Sequence, residues 1–175
     1  MSDTTLTSLR PMTEGDLEKV LSWRNHPEVR SYMYTQHEIS LEEHSRWFAC
    51  ASKDPERHLL VFEIDRRALG FINIHQIASG GLADWGFYAA PDAPSGTGRA
   101  LGEAALCYAF QTAGVHKLCG QALAFNERSI CFHLSLGFQR EGILRHQHFD
   151  GQHYHDVICL GMLASEWHPR QLEKN

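Results

Sequence analysis

The chain has 175 residues, 43% of them hydrophobic, which suffices for one domain with its own core and does not require a second. Its 21 acidic residues outnumber 16 basic ones, for a formal net charge of −5, and no block of lysine and arginine is present; both exclude a sequence-independent grip on nucleic acid as the main activity. No apolar stretch approaches the roughly 18 residues of a membrane span, the segment MSDTTLTSLRPMTEGD lacks the apolar centre of a secretion signal, and five scattered cysteines without a CxxC argue against disulfides or a cysteine zinc knuckle, so a cytoplasmic protein is expected.

After a short apolar start at Leu9, TEGDLEKVLSWRN reads as a helix. Thr13 stands at its N-cap with Asp16 three residues on; Leu17, Val20, Leu21 and Arg24 recur at helical spacing, and His26-Pro27 stops it. SLEEHSRWFACAS repeats the pattern, with Ser40 as cap and Glu43 in the capping-box position. Two strands follow, 58–65 and 71–77, joined by an RRALG turn; Gly80-Gly81 breaks the hairpin, and LADWGFYAA (82–90) is a third strand ended by Pro91 and Pro94. A helix over 98–113 carries the stripe Leu101, Ala104, Ala105, Tyr108 and Ala109, with Gly114 just past its end. A strand at 116–124, a helix at 127–136 and a hairpin turning at Asp150-Gly151 complete the chain. The expectation is an α/β (α+β) fold, a mostly antiparallel sheet packed by helices, in one domain over 1–175.

The stretch APSGTGRALGEAALCYAFQTAG (93–114) places bare backbone at the mouth of the long helix. A dinucleotide fingerprint fails because its third glycine arrives one residue late, at Gly102. A P-loop fails because Arg99-Ala100 stand where lysine and serine or threonine are needed. Gly96, Thr97 and Gly98 still present N–H groups to an anion with a helix dipole behind them. On local pattern alone a phosphate site and a plain glycine turn fit equally well.

Downstream stands NERSICFHLSLGF (126–138). Together with the glycine loop it resembles the GNAT superfamily of N-acetyltransferases, which pair a G-x-G-x-A/G pyrophosphate loop with N-x-x-S/A followed by L-G-F. The resemblance extends to LRPMTEGDLEKVLSWRN and to the closing hairpin REGILRHQHFDGQHYHDVICLGMLASEW. It implies an acetyl-CoA enzyme in which strands 82–90 and 116–124 splay apart. Pantetheine would lie against the backbone of Trp85, Gly86, Phe87 and Tyr88, and pyrophosphate on Gly96, Thr97, Gly98, Arg99 and Ala100. Asn126, Ser129 and Phe132 fall near the coenzyme's arm, and no metal is implied. One departure is Ala93, where the family usually has Gln or Arg; Arg99 is left to supply charge.

Amide formation requires a deprotonated amine and a proton for the departing thiolate. The family often places a tyrosine general acid where this chain has His133; an imidazole titrating near neutrality can serve, and the alternative is a histidine packed on its helix. His75 and Asp84 are the candidate bases, with Glu63 or ordered water as alternatives. The segments WRNHPEVRSYMYT and EEHSRWF resemble the branch that acetylates the 4-amino group of a UDP-linked aminosugar in pseudaminic acid synthesis. That assigns Arg24, Asn25, Met33, Tyr34, His44, Trp47, Phe48 and His75 to the acceptor, with Arg24 on the diphosphate and Met33, Tyr34, Trp47 or Phe48 walling uracil; the alternative is that the aromatics staple two helices to the sheet. The expected partner is a UDP-aminosugar, with a homodimer left open. The rival functions are a ribosomal-protein N-terminal acetyltransferase and a non-catalytic CoA-binding module. Finally, a two-residue Asp150-Gly151 turn would set His148 opposite His153 and His146 opposite His155, four imidazoles on one face, a geometry with zinc-binding chemistry. Nothing else here calls for metal, and histidines facing solvent or the acceptor are the expected reading.

Overall fold

Alternating apolar side chains in the middle of the chain build the sheet that positions everything else. The structure, a computed structural model, describes residues 6–168. Its elements run β1 (Thr7–Pro11), α1 (Leu17–Asn25), α2 (Pro27–Arg30), α3 (Leu41–Ala51), β2 (Arg57–Ile64), β3 (Arg67–Ala78), β4 (Leu82–Ala89), α4 (Thr97–Cys107), β5 (Lys117–Leu123), α5 (Glu127–Leu136), β6 (Gln139–Phe149) and β7 (Tyr154–Leu163). Seven strands form one sheet in the order β1-β2-β3-β4-β5-β7-β6. Every pairing is antiparallel except β4 with β5, as the expected mixed sheet requires.

Each face of the sheet has its own core. Leu60, Ile72, Ile74 and Leu118 pack on one face against Leu101 and Ala105 of α4 and Ile130 of α5. On the other face Leu59, Val61 and Phe71 meet Val20 and Trp23 of α1 and Phe48 of α3. That second core draws on none of β5, β6 or β7, so one side of that wing is left for the segment between α2 and α3. Local chemistry fixes the helix starts. Asp16 Oδ2 accepts from Thr13 N and Oγ1, and Arg10 holds the same carboxylate with both terminal nitrogens at 2.8 Å while its Nε reaches Glu63 at 2.7 Å. These bonds to Arg10 hold the Asp16 pKa down to about 2 and fasten β1 and β2 to α1. Ser40 Oγ accepts from Glu43 N, as a cap should, but the Glu43 carboxylate turns to His37 at 3.2 Å instead of closing a box.

Three elements differ from the sequence reading. The RRALG segment is mostly strand: the turn is Asp65-Arg66, with φ of 49° and 65°, because Leu69 is needed in the core and two left-handed residues close a hairpin most tightly. The helix expected at 98–113 begins at Thr97 and loosens into a π turn over Tyr108–Thr112 before Gly114. The last hairpin turns through four residues, where Asp150 Oδ1 accepts from Gln152 N and His153 N, both at 2.8 Å, and holds the longer turn. His148 therefore pairs with His155 and not with His153, and His146 sits in a bulge with φ of 52°. Among the described residues no group of three or more His, Cys, Asp or Glu is placed to hold a metal ion.

Candidate active site

The two parallel strands touch for only three register pairs, Leu82↔Lys117, Ala83↔Leu118 and Asp84↔Cys119. Beyond them β4 stays with β3 as far as Ala89, and β5 stays with β7 as far as Leu123. Each strand keeps its antiparallel partner, so the strain of a twisted sheet is released between them, and a fork opens from Trp85 on one arm and Gly120 on the other. The main chain from Trp85 to Tyr88 thereby has one edge without a strand partner, as the splayed-strand expectation requires.

At the mouth of the fork lies the start of α4. Gly96 caps it with φ of 90°, a left-handed conformation that a side chain would strain. Thr97 N is not available to a ligand, contrary to the sequence expectation, because it donates to Pro94 O at 3.1 Å; Ala100 N donates to Gly96 O at 3.1 Å. Gly98 N and Arg99 N are the amides left without a partner among the described residues. A Cβ built on Gly86, Gly96 or Gly98 meets nothing within 4 Å, so the loop is bare on the side where an anion would sit. Thr97 Oγ1 and Trp85 Nε1 are buried without a partner, two unspent polar groups at the loop and at the fork. The set fits a diphosphate on a helix N-terminus with an extended arm hydrogen-bonded along β4. Arg99 is less committed to it than the sequence suggested, since its Nε pairs with Glu103 at 3.0 Å.

His133 occupies the crotch of the fork. It is 2% exposed, and rings of Trp85, Phe87, Phe132 and Phe138 surround it at centroid distances of 5.0–6.1 Å. Gly120 is glycine because of it: a Cβ there would lie 2.7 Å from His133 Nε2 and 3.1 Å from Trp85 Nε1. α5 places the ring by its cap. Asn126 Oδ1 accepts from Ser129 N at 3.1 Å, and His133 Nδ1 then donates to Ser129 O at 2.7 Å, with Ser129 Oγ 3.5 Å away. Burial pushes the His133 pKa down, so the ring is neutral near pH 7 with its hydrogen on Nδ1 and a lone pair on Nε2 toward the fork.

On the opposite face of the same strands, alternation brings Asp84, Gly86 and Tyr88 of β4 beside His75 of β3 and Cys119 and Gln121 of β5. His75 is tied at both nitrogens: Nδ1 lies 3.1 Å from Arg57 Nη2, which can only donate, and Nε2 lies 3.4 Å from Asp54 Oδ2. That arrangement leaves His75 no lone pair for a substrate proton. Asp84, its register partner, is open to solvent at the foot of the fork; loss of hydration around its carboxyl raises the pKa, which His75 and Arg57 partly offset. Arg57, Asp54, Cys119 and Gln121 were not singled out from the sequence, because only the register brings them here.

Arg24 of α1 reaches this face with Nη2 donating to Thr35 O at 3.0 Å, while Nη1 is buried and unpartnered. His44 of α3 is 5% exposed, with Nε2 also buried and unpartnered; burial and, less strongly, Arg24 push its pKa down. Burial pushes the Tyr88 hydroxyl up, and Arg24 acts against that shift. The remaining acceptor candidates separate. Asn25 is consumed structurally, since its amide donates to Ile39 O at 2.8 Å and accepts from Ile39 N at 2.9 Å. Phe48 belongs to the core beneath α3, and Trp47 stacks on His44 and meets Phe71 edge-on. Tyr34 crosses to β5, donating to Gln121 Oε1 at 2.8 Å. Met33 is half-buried on the same segment.

A forked sheet, a helix start with free amides and a polar face on the far side of the fork define a transferase that takes an acyl group from a coenzyme A thioester. The chain belongs to the GNAT acetyltransferases: the family described as Acetyltransferase (GNAT) domain matches residues 7–139. It is similar to two proteins named Acetyltransferase PseH from Campylobacter jejuni subsp. jejuni. One, from strain 81-176, is 28% identical and the other, from strain NCTC 11168, 29% identical, each over 126 residues, 71% of this chain and 78% of the relative. Among solved structures, a spermidine N-acetyltransferase from Vibrio cholerae in complex with CoA and spermine superposes with a TM-score of 0.83 at 24% identity, covering 91% of this chain and 96% of that one, a likeness of fold. As a member of that family the protein is an acyltransferase that uses acetyl-CoA.

Proposed function

We propose that the acceptor is a nucleotide-linked aminosugar, the 4-amino group of UDP-4-amino-4,6-dideoxy-N-acetyl-altrosamine, acetylated in the cytoplasm during pseudaminic acid synthesis for flagellin glycosylation. The observation that carries this reading is the pair of buried, unpartnered nitrogens, Arg24 Nη1 and His44 Nε2, on the acceptor face. A buried guanidinium nitrogen without a partner is costly unless a ligand completes it, and a phosphate oxygen of a nucleotide diphosphate is an acceptor that would do so. The resemblance to proteins named PseH points the same way. A fixed cation on this face opposes a basic peptide, which weakens the ribosomal-protein alternative.

Acetyl-CoA supplies the activated acyl group; transfer forms a C–N bond, breaks a C–S bond and moves one proton from the amine to the departing sulfur. In our reading Gly98 N and Arg99 N hold the coenzyme's pyrophosphate, and Trp85 to Tyr88 hold its arm through backbone. Asp84 takes the proton of the incoming ammonium, with its raised pKa bringing it nearer to that task. His133 accepts the second amine proton on Nε2 and passes it to sulfur, a relay suited to a neutral ring whose other nitrogen is held by Ser129 O. The test is CoA release with the UDP-4-amino sugar, a basic N-terminal peptide and spermidine offered separately. The sugar is expected to be preferred, and Arg24→Ala to raise its KM about tenfold or more while leaving the acetyl-CoA KM nearly unchanged. Preference for the peptide or spermidine would reject the sugar assignment, and acetyl-CoA binding without CoA release for any amine would favour a non-catalytic module.

A further inference from the structure

The β5 arm carries a side chain that none of the roles above uses. Gln121 stands two residues past Cys119, the last β4–β5 register partner, which puts it about 7 Å further along the strand than the foot of the fork. By alternation from Gly120, which faces His133, it lies on the acceptor face, and it is exposed there. Its position is held from across the cleft. Tyr34 O–H donates to Gln121 Oε1 at 2.8 Å, the Tyr34 ring rests against His148 with centroids 5.2 Å apart, and the segment carrying Tyr34 is itself anchored by Arg24 to Thr35 O and by Asn25 to Ile39. With Oε1 engaged, the Gln121 amide nitrogen has two hydrogens and no partner among the described residues.

We infer that Gln121, pinned by Tyr34, binds an oxygen substituent on the carbon adjacent to the one that bears the reacting amine, so that the preferred acceptors are vicinal amino-alcohols. Asp84 and the fork fix where the amine nitrogen sits, and Gln121 lies one side-chain reach beyond it. The Gln121 amide nitrogen can only donate, so it matches a hydroxyl or carbonyl oxygen and does not match an ammonium, which has no lone pair to offer. This rests on the sugar reading and sharpens it: in a 4-amino-4,6-dideoxy-2-acetamido sugar position 3, adjacent to the amine-bearing carbon 4, keeps its hydroxyl.

The test compares the UDP-4-amino sugar with its 3-deoxy counterpart for the wild type and for Gln121→Ala, Gln121→Glu and Tyr34→Phe. The expected result is that Gln121→Ala lowers kcat/KM about tenfold for the hydroxyl-bearing acceptor, mainly through KM, and leaves the 3-deoxy acceptor nearly unchanged. Tyr34→Phe loses less in the same pattern, and Gln121→Glu, which replaces donors by acceptors, loses at least as much as alanine. An unchanged acetyl-CoA Kd in each variant controls for folding. Equal losses on both sugars, or none, overturn the role of Gln121 and leave the sugar reading standing. Transfer to spermidine with neither sugar turned over overturns both.

Discussion

Burial decides what His133 can do. An exposed histidine in its position would exchange protons with water; one at 2% exposure, with Nδ1 spent on Ser129 O, can offer only Nε2, and only to the fork. His133→Ala is expected to lower turnover about tenfold or more, the usual scale of a positioned proton-transfer group, with a much smaller change in acetyl-CoA affinity measured by titration calorimetry. Turnover within twofold of wild type would leave the ring as packing between Trp85 and Phe138. The same scale separates His75 from Asp84. Both stood as bases on the sequence, and only the hydrogen bond from Arg57, with Asp54 beside the other ring nitrogen, removes one of them.

Among elements, the start of α4 is where conformation and ligand contact can be told apart. Gly96 needs its left-handed φ, so Gly96→Ala is expected to cost about 1–2 kcal/mol of stability as well as weakening acetyl-CoA. Gly98 sits in the first turn of the helix, where a Cβ meets nothing of the protein. Gly98→Ala is therefore expected to hold or slightly raise the melting temperature, by up to about 1 kcal/mol of helix propensity, while weakening acetyl-CoA several-fold. Thermal melts with and without acetyl-CoA check both variants, and equal destabilisation by the two would contradict the assignment.

Much of the α4 start and of α5 was legible in the sequence, because the glycine spacing of the one and the Asn126-x-x-Ser129 and Leu136-Gly137-Phe138 patterns of the other are local signals. The bounds of β2, β4, β5 and α5 were legible for the same reason. The last hairpin was not, since the Asp-Gly pair marks a turn but not its length, and Asp150 settles that by accepting two amides. Nor was the acceptor face legible. Asn25 and Phe48 have the composition of a binding site and are spent on Ile39 and the core, whereas Gln121 gives no sign in sequence and is placed there by strand register and by Tyr34.

At the scale of the whole molecule, one sheet presents the coenzyme side and the acceptor side of the proposed transfer on opposite faces. α4 and α5 bring the glycine loop and His133 to one face, α1 and α3 bring Arg24 and His44 to the other, and the β4–β5 fork is the passage between them. Stability should register the two buried imidazoles. Burial holds both His44 and His133 below the ordinary 6.5, so between those lowered values and 6.5 the unfolded chain binds protons that the fold refuses. Their neutral burial is fully tolerated above pH 6.5, and stability is expected to fall as the pH drops below it. Calorimetric melts at pH 7.5 and 5.5 check this, with a smaller difference expected in His133→Phe; a melting temperature that rises on acidification would contradict it.

In the proposed function acceptor and coenzyme meet through the fork from opposite faces. The most direct test is a crystal structure of the ternary complex with CoA and the UDP-4-amino sugar. We expect the coenzyme's pyrophosphate on Gly98 N and Arg99 N, the sugar diphosphate on Arg24 Nη1, and the amine between Asp84 and the coenzyme's sulfur. A sugar bound on the α4–α5 face, or an Arg24 still unpartnered with the sugar in place, would contradict the account.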